Sequence, residues 1–444
     1  MSEIEHEQIE QNFADINPPL NQAEAVFEAN RCLYCYDAPC MHACPTHIDV
    51  PSFIKKIASG NLHGSARVIF DANPIGATCA RVCPVEVLCE GACVEKTLMD
   101  SPIQIGRLQR YATDYAFESG RQIFEKGESN GKSVGVIGSG PAGLSCATYL
   151  ARLGYDVTVY ERKPLAGGLD TYGMAEYKMS QKDSLEEVAA VENLGVEFQL
   201  ETEIVQSPKS KVQSPNQIFF EDLQTNHDAI FVGVGLGATN DLNIEGEDLD
   251  GVMDALYFIE KIKTRDWDSV PMGKTVAVIG AGNTAIDAVT QAKRLGAEKV
   301  LMIYRRTEKD ISAYDYEYEL AKKDGIEFVW QTSPIEVLGN GGKVSGLKCK
   351  KTDGSEFEIA CDLVIKAIGQ QKQIEFFKNI GIEFNEKGQV AVNETMQTSN
   401  PKIFAGGDCV NGGAEAVDAS QMGKLAAQGI HLALTGERVK FAGA

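Results

Sequence analysis

From residue 132 onward, short apolar runs break at glycines and pass into helical periodicity. KSVGVIGSGPAGLSCATYLARLGYDVTVYERK reads as a buried strand, a glycine turn, an amphipathic helix and a second strand, which is one βαβ unit. The pattern returns at KTVAVIGAGNTAIDAVTQAKRLGAEKVLMIYRR, residues 274–306. The two copies lie 142 residues apart, counted from Gly138 to Gly280. They predict a duplicated nucleotide-binding fold, not a short-period solenoid. HDAIFVGVGLGA (227–238) and CDLVIKAIGQQ (361–371) predict crossover strands at domain edges, each running into a glycine turn. IFAGGDCVNGG (403–413) predicts a strand ending at Gly406, Gly407 and Asp408, followed by the helical AVDASQMGKLAAQGIHLAL. Before residue 132 the texture differs. Residues 1–31 form a polar helical lead-in, residues 32–115 mix helical patterns with cysteines, and residues 118–132 are a polar linker.

The first glycine turn, Gly138-Ser139-Gly140-Pro141-Ala142-Gly143, has the strand–turn–helix setting a dinucleotide fingerprint needs. Gly138 permits the tight turn, Gly140 lets backbone approach a pyrophosphate, and Gly143 lets helix and strand pack closely. The helix start supplies unpaired N–H groups and a positive dipole end. Glu161 ends the next strand and can accept from ribose hydroxyls. Arg162, Gly168 and Leu169 join it as candidate cofactor contacts. Gly407 and Asp408 predict a second contact far along the ligand, to a ribityl hydroxyl and a phosphate. That suits FAD better than NAD. An Asp that merely caps its helix is the alternative reading of the pair.

The second turn, Gly280-Ala281-Gly282-Asn283-Thr284-Ala285, has alanine in the third place, which the fingerprint allows. Gly369 is a further candidate contact here. Tyr304, Arg305 and Arg306 stand where an acidic residue would bind the free 2′-hydroxyl of NAD. Arginines match a 2′-phosphate instead. NADPH is therefore expected, with NADH as the alternative. Asp287 is expected only to complement its helix dipole.

Twelve cysteines are present, eight of them between Cys32 and Cys93. The runs are Cys32-x2-Cys35-x4-Cys40-x3-Cys44-Pro45 and Cys79-x3-Cys83-Pro84-x4-Cys89-x3-Cys93. The first is like the bacterial ferredoxin run with a longer middle gap, in which the fourth cysteine joins the other cluster. Two [4Fe–4S] clusters are expected, with zinc as the rival metal; spacing does not assign the ligands. His42 and His47 read as loop residues, and Cys146, Cys349, Cys361 and Cys409 as buried thiols. No CxxC dithiol lies in the second nucleotide fold, so electrons are expected to leave through the clusters, not a disulfide.

The formal net charge of −21, from 42 basic and 63 acidic residues, disfavours nucleic acid and anionic membranes as partners. No apolar run reaches membrane-spanning length and the acidic N-terminus is unlike a leader, so a cytoplasmic location is expected. The expected fold is α/β. An N-terminal α-helical iron–sulfur domain (1–130) precedes two nested Rossmann-like domains. These are FAD-binding in two parts (131–240 and 371–444) and NADPH-binding (241–370).

RCLYCYDAPCMHACP, CARVCPVEVLCEGAC and IQIGRLQR carry a resemblance over nearly the whole chain. It resembles the NAD(P)H-oxidising FAD and iron–sulfur subunits of bacterial dihydropyrimidine dehydrogenases. The wider family includes glutamate synthase small subunits and the large subunit of NADH-dependent ferredoxin:NADP reductase. CPVEVLCEGAC departs from the shorter second run usual in glutamate synthase and agrees with the pyrimidine enzymes. The resemblance implies that Cys32, Cys35, Cys40 and Cys93 hold one cluster. It implies Cys44, Cys83, Cys89 and Gln109 for the other, with Cys79 a bystander where spacing alone would have chosen it. It also implies hydride transfer from NADPH to FAD and single electrons through the clusters. The chain ends at Ala444 without the FMN barrel of the long enzyme, so an FMN-containing catalytic partner subunit that reduces uracil or thymine is expected. Glutamate synthase input and a general electron-transfer flavoprotein are the alternatives.

Overall fold

The computed structural model describes residues 5–206 and 216–443. The chain divides into two compact units. The larger takes Asn17–Thr171, Lys182–Leu236 and Lys372–Ala444; the smaller takes the stretch up to Ile16, Tyr172–Gln181 and Gly237–Gln371.

The larger unit is built on a five-stranded, all-parallel sheet. Its order is Ile403–Ala405, Ala229–Val232, Ser133–Ile137, Asp156–Tyr160, Glu197–Gln199. The central strands SVGVI and AIFV are apolar almost throughout because both sheet faces are covered. The helix Pro141–Arg152 starts with proline at its first position, directly after Gly140, and packs on the long helix Ala416–Thr435. A short parallel pair, Thr202–Val205 with Asn216–Phe219, completes the strands of this unit among the described residues.

The cysteine-bearing segment is helical and belongs to this same unit. Its longer helices are Gln22–Arg31, Val50–Ala58, Leu62–Ala72 and Ile105–Glu118. Asn21 closes a capping box on the first, while Asp49 and Asn61 cap the next two. Phe53, Ile54, Ile57, Ile69, Leu108 and Ala112 form its core. Specific bonds join the segment to the elements around the sheet. Arg152 pairs with Asp71 at 2.6 Å, and Tyr149 donates its hydroxyl to the Asp71 carbonyl at 2.9 Å. Glu187 accepts from the Ala77 N–H at 2.7 Å, the Thr78 N–H at 3.1 Å and the Thr78 hydroxyl at 2.5 Å. The polar stretch 118–132 runs along this unit, with Gly127 and Asn130 donating to the carbonyls of Ala151 and Gly154.

The smaller unit has its own all-parallel sheet, ordered Glu327–Val329, Lys299–Ile303, Thr275–Ile279, Leu363–Lys366, Val252–Asp254. An antiparallel sheet of Thr332–Asn340, Lys343–Lys351 and Glu356–Ile359 accompanies it. The helix His6–Asn12 belongs here. Ile9 and Phe13 enter the core beside Phe258, Ile262 and Trp267, and the Trp267 indole donates to Glu10 at 2.9 Å. The polar lead-in therefore splits: only the part from Asn17 onward goes with the cysteines. Tyr172–Gln181 also joins this unit. Lys178 reaches Asp287 at 2.7 Å and Glu317 at 2.5 Å, and the Tyr177 hydroxyl donates to Asp287 at 3.0 Å. Asp287 thus does more than complement a helix dipole: it is one of two buried acids, with Glu317, in an ion cluster. No described helix is long and apolar enough to cross a membrane.

Candidate functional site

In the larger unit the first glycine turn sits at the carboxyl end of the central strand. Gly138 has φ 93°, and a Cβ there would meet the Gly233 carbonyl oxygen at 2.5 Å. A Cβ on Gly143 would lie 2.0 Å from the Gly138 carbonyl oxygen, so helix and turn touch backbone to backbone. Gly168, at φ 58°, faces Gly140: its Cβ would come within 2.7 Å of the Gly140 Cα. Gly407, at φ 77°, approaches the Ala142 side chain. Positions expected from three distant stretches therefore converge on one cradle that side chains would fill. Backbone with such freedom and closeness fits a diphosphate ligand. Leu169 begins the short helix Leu169–Tyr172 beside this turn, and Arg162 follows Glu161.

Glu161 is buried, and much of its carboxylate is already committed. Oε2 accepts from the Ser139 N–H at 3.1 Å and the Ser139 hydroxyl at 2.6 Å, and Oε1 accepts from the Lys163 N–H at 2.9 Å. With about two acceptor sites per oxygen, Oε1 keeps room for one further donor. Asp408 is half-buried in the first turn of a four-residue helix and accepts from the Ala414 N–H at 3.3 Å. Burial raises its carboxyl above the usual range, opposed by that bond and reinforced by Glu415 and Asp418.

The second turn is built the same way in the smaller unit. Gly280 has φ 134°, and a Cβ there would meet the Ala367 carbonyl oxygen at 2.2 Å. Gly282 caps the helix Asn283–Arg294. The Asn283 side chain accepts from the Tyr314 N–H at 3.1 Å, which ties the 312–314 loop to the turn. Gly369, at φ 83°, accepts from the Asn240 N–H at 2.9 Å. Ala285 is buried and Thr284 exposed. Arg305 and Arg306 follow the strand Lys299–Ile303 and are exposed.

The cysteines form two neighbourhoods. Cys32, Cys35, Cys40 and Cys93 line one recess, walled by Ala38, Ile54, Val94 and Ile103. Burial pushes Cys40 up to about 12, and Cys93, Cys32 and Cys35 add to the rise. Cys44, Cys83 and Cys89 make the second neighbourhood. Cys83 is raised well above the usual range by its thiol hydrogen bond with Cys79, by burial, and by the charges of Cys79, Cys89 and Cys44. Burial does the same to Cys89, with Glu90 and Cys44 adding. Thiols gathered this closely, with Cys40, Cys83 and Cys89 raised partly by their neighbours, favour a cationic group among them.

Two further candidates adjoin the second neighbourhood. Gln109 is buried on the helix Ile105–Glu118, and its amide nitrogen donates to the Gly76 carbonyl at 2.7 Å. That leaves its carbonyl oxygen as the end able to ligate. Cys79 is buried beside Cys83 and accepts from the Asn73 side chain at 3.1 Å. His42 and His47 are exposed, bonded to Asp37 and to the Met41 carbonyl. Cys146, Cys349, Cys361 and Cys409 are buried. Asn73, Glu187 and Lys424 are buried polar residues around the second neighbourhood that sequence reasoning missed. Asn73 bonds Ser420, Glu187 bonds Ala77 and Thr78, and Lys424 bonds Thr46 and Ala72, all more than 100 residues away, so no local pattern marks these pairings.

The Escherichia coli K12 glutamate synthase [NADPH] small chain is 36% identical over 94% of this chain and 93% of its own length. The NAD-dependent dihydropyrimidine dehydrogenase subunit PreT of the same organism is 34% identical over 96% of this chain and 98% of its own. Among solved structures, Lactococcus lactis thioredoxin reductase superposes with a TM-score of 0.56 at 25% identity, over 69% of this chain and 100% of that one. Mycobacterium tuberculosis FprA, in complex with NADPH, gives 0.53 at 18% identity, over 70% of this chain and 86% of that one. With the two glycine turns and the cysteine segment, these findings define a nicotinamide-dependent flavin and iron–sulfur electron-transfer oxidoreductase. The chain belongs to the pyridine nucleotide-disulphide oxidoreductase family, whose model matches residues 132–423. Residues 9–121 match dihydropyrimidine dehydrogenase domain II, 4Fe-4S cluster. The two matches imply FAD with a pyridine nucleotide and a [4Fe–4S] cluster.

Proposed function

We propose that this chain is the electron-input subunit of a dihydropyrimidine dehydrogenase, delivering electrons to an FMN-containing partner that reduces uracil or thymine. The observation that carries it is the long second run, Cys83-Pro84 through Cys89 to Cys93. The residues between are a compact knot: Glu90 and Gly91 donate to the Val85 carbonyl, and a Cβ on Gly91 would lie 2.2 Å from the Glu86 carbonyl oxygen. The extra length is therefore a built element rather than slack.

The same reading gives the residues their parts. Gly138–Gly143, Glu161, Arg162, Gly168, Leu169, Gly407 and Asp408 hold FAD. Gly280, Gly282, Asn283, Thr284, Ala285 and Gly369 hold the nicotinamide nucleotide, and Arg305 and Arg306 select its 2′-phosphate. Cys32, Cys35, Cys40 and Cys93 hold one [4Fe–4S] cluster; Cys44, Cys83, Cys89 and Gln109 hold the other. When bound, these groups supply hydride acceptance and single-electron carriage, and the protein supplies orientation and potential. Gln109→Ala should cost iron that Cys79→Ser retains. Iron lost only from the Cys79 variant would transfer the eighth place to that thiol.

The second reading is input to glutamate synthase, favoured by the 36% identity to the small chain of that enzyme. NADPH oxidation by the anaerobically purified native complex separates the two. Stimulation by uracil, with FMN in the complex, supports the proposal. Silence with uracil but turnover with glutamine plus 2-oxoglutarate replaces it with the second reading.

A further inference from the structure

Lys424 lies within the helix Ala416–Thr435 and has no solvent exposure. Its Nζ donates to the carbonyl oxygens of Ala72 at 2.9 Å, Ala442 at 3.0 Å and Thr46 at 3.1 Å, with the Gly443 oxygen at 3.5 Å. Three protons meeting three carbonyls is the inventory of an ammonium. A neutral amine would turn its lone pair on one of those oxygens. Burial pulls the group down to about 8, while the charges of Cys44 and Asp71 hold it up. Asp71 is already committed to Arg152 at 2.6 Å, and no described carboxylate forms an ion pair with Lys424. Withdrawing an ammonium from water is costly, and among the described residues carbonyl dipoles rather than a paired carboxylate offset that cost, which asks what work the charge does.

The surroundings indicate what that work is. Thr46 lies two residues past Cys44, whose Sγ is 3.3 Å from the Thr46 hydroxyl. Ala72 precedes Asn73, which donates to Cys79 Sγ and accepts from the Ser420 hydroxyl at 2.8 Å, one helical turn before Lys424. Next to Lys424, Gly423 presses on the phosphate-turn side: a Cβ there would lie 2.2 Å from the Ala142 carbonyl oxygen. One helix thus touches the first glycine turn with one residue and sets a positive charge behind Cys44 with the next.

We propose that Lys424 is a positioning residue for electron flow: its ammonium charge stabilises the electron received by the iron–sulfur group held with Cys44, making that group a downhill acceptor from the flavin. The proposal rests on the reading of Cys44, Cys83 and Cys89 as ligands of one cluster. In the step concerned, reduced flavin, recharged by the nicotinamide nucleotide, loses one electron and the cluster gains one. No bond forms or breaks at the cluster, so a buried charge that salt cannot screen acts on the electron alone.

The test is a redox titration of the holoprotein followed by electron paramagnetic resonance, comparing wild type, Lys424→Met and Lys424→Arg. In Lys424→Met one cluster should become at least tenfold harder to reduce, about 59 mV for one electron. The other cluster should stay put, and Lys424→Arg should restore the wild-type value. Should Lys424→Met not fold, Lys424→Gln, neutral but still able to donate to the carbonyls, carries the same comparison. Unchanged potentials in a folded neutral variant would reduce Lys424 to a staple and overturn the proposal. Cys44→Ser separates this failure from failure of the ligand reading. It should lose the iron of one cluster, and full iron retention would remove the basis of the proposal instead.

Discussion

Gly143 shows why single positions in the glycine turns are not interchangeable. A methyl group there would lie 2.0 Å from a backbone oxygen, and no side-chain rotation relieves that contact. Gly143→Ala should therefore purify without flavin absorbance, measured as bound FAD per chain. A full complement of FAD would mean that the turn can spread. Arg305 and Arg306 are exposed, so substituting them should leave folding intact. Replacing both with alanine should raise KM for NADPH roughly tenfold or more, the worth of charge-assisted hydrogen bonds, and barely move KM for NADH. Equal effects on both nucleotides would refute the 2′-phosphate role. These residues were legible because a local pattern marks them: strand, glycine turn, helix, then a strand-end charge. Lys178 and its partners Asp287 and Glu317 were not legible. Lys178 sits more than 100 residues from both acids, and no local period encodes a buried ion cluster that only the assembled chain brings together.

At the scale of elements, the helix Gly76–Val82 depends on an acid from elsewhere in the chain. Glu187 accepts from the backbone N–H groups of Ala77 and Thr78, which the helix itself cannot satisfy. Burial pushes this carboxyl up to about 7 from 4.5, with the bonds from Thr78 and Ala77 and the charge of Arg81 opposing. The sign follows directly. Between pH 4.5 and about 7 the native state keeps the proton and the unfolded state releases it, so stability falls as pH rises. The whole effect is roughly 3 kcal/mol. Glu187→Gln should flatten the decline in thermal midpoint across that window. A decline as steep as in wild type would assign it to other groups. The strands and helices of both nucleotide folds could be read from periodicity, since buried parallel strands are apolar runs of fixed length. The splitting of the polar lead-in at Ile16 could not. Ile9 and Phe13 are two apolar residues in an acidic stretch, and nothing local says which core they enter.

For the whole molecule, the cysteine segment and the first nucleotide fold are parts of one unit, joined through Asp71, Glu187 and Lys424. Stripping iron with a chelator under reducing, anaerobic conditions should therefore loosen FAD as well. Flavin release on heating should begin several degrees lower in the iron-free protein, and an unchanged release temperature would mean that the two parts melt independently. The eight cysteines were readable as a metal-binding segment from spacing. Their union with the flavin fold was not, because the polar stretch 118–132 has the composition of a linker yet lies along the unit. That union also orders the events of synthesis. The carbonyl of Thr46 waits for a lysine 378 residues further on. At ~5–20 residues per second, a ribosome needs tens of seconds to cover that interval. Through all of it the first cysteine run is already made but lacks its final packing partner, so its native surroundings close only when the last helix has been made.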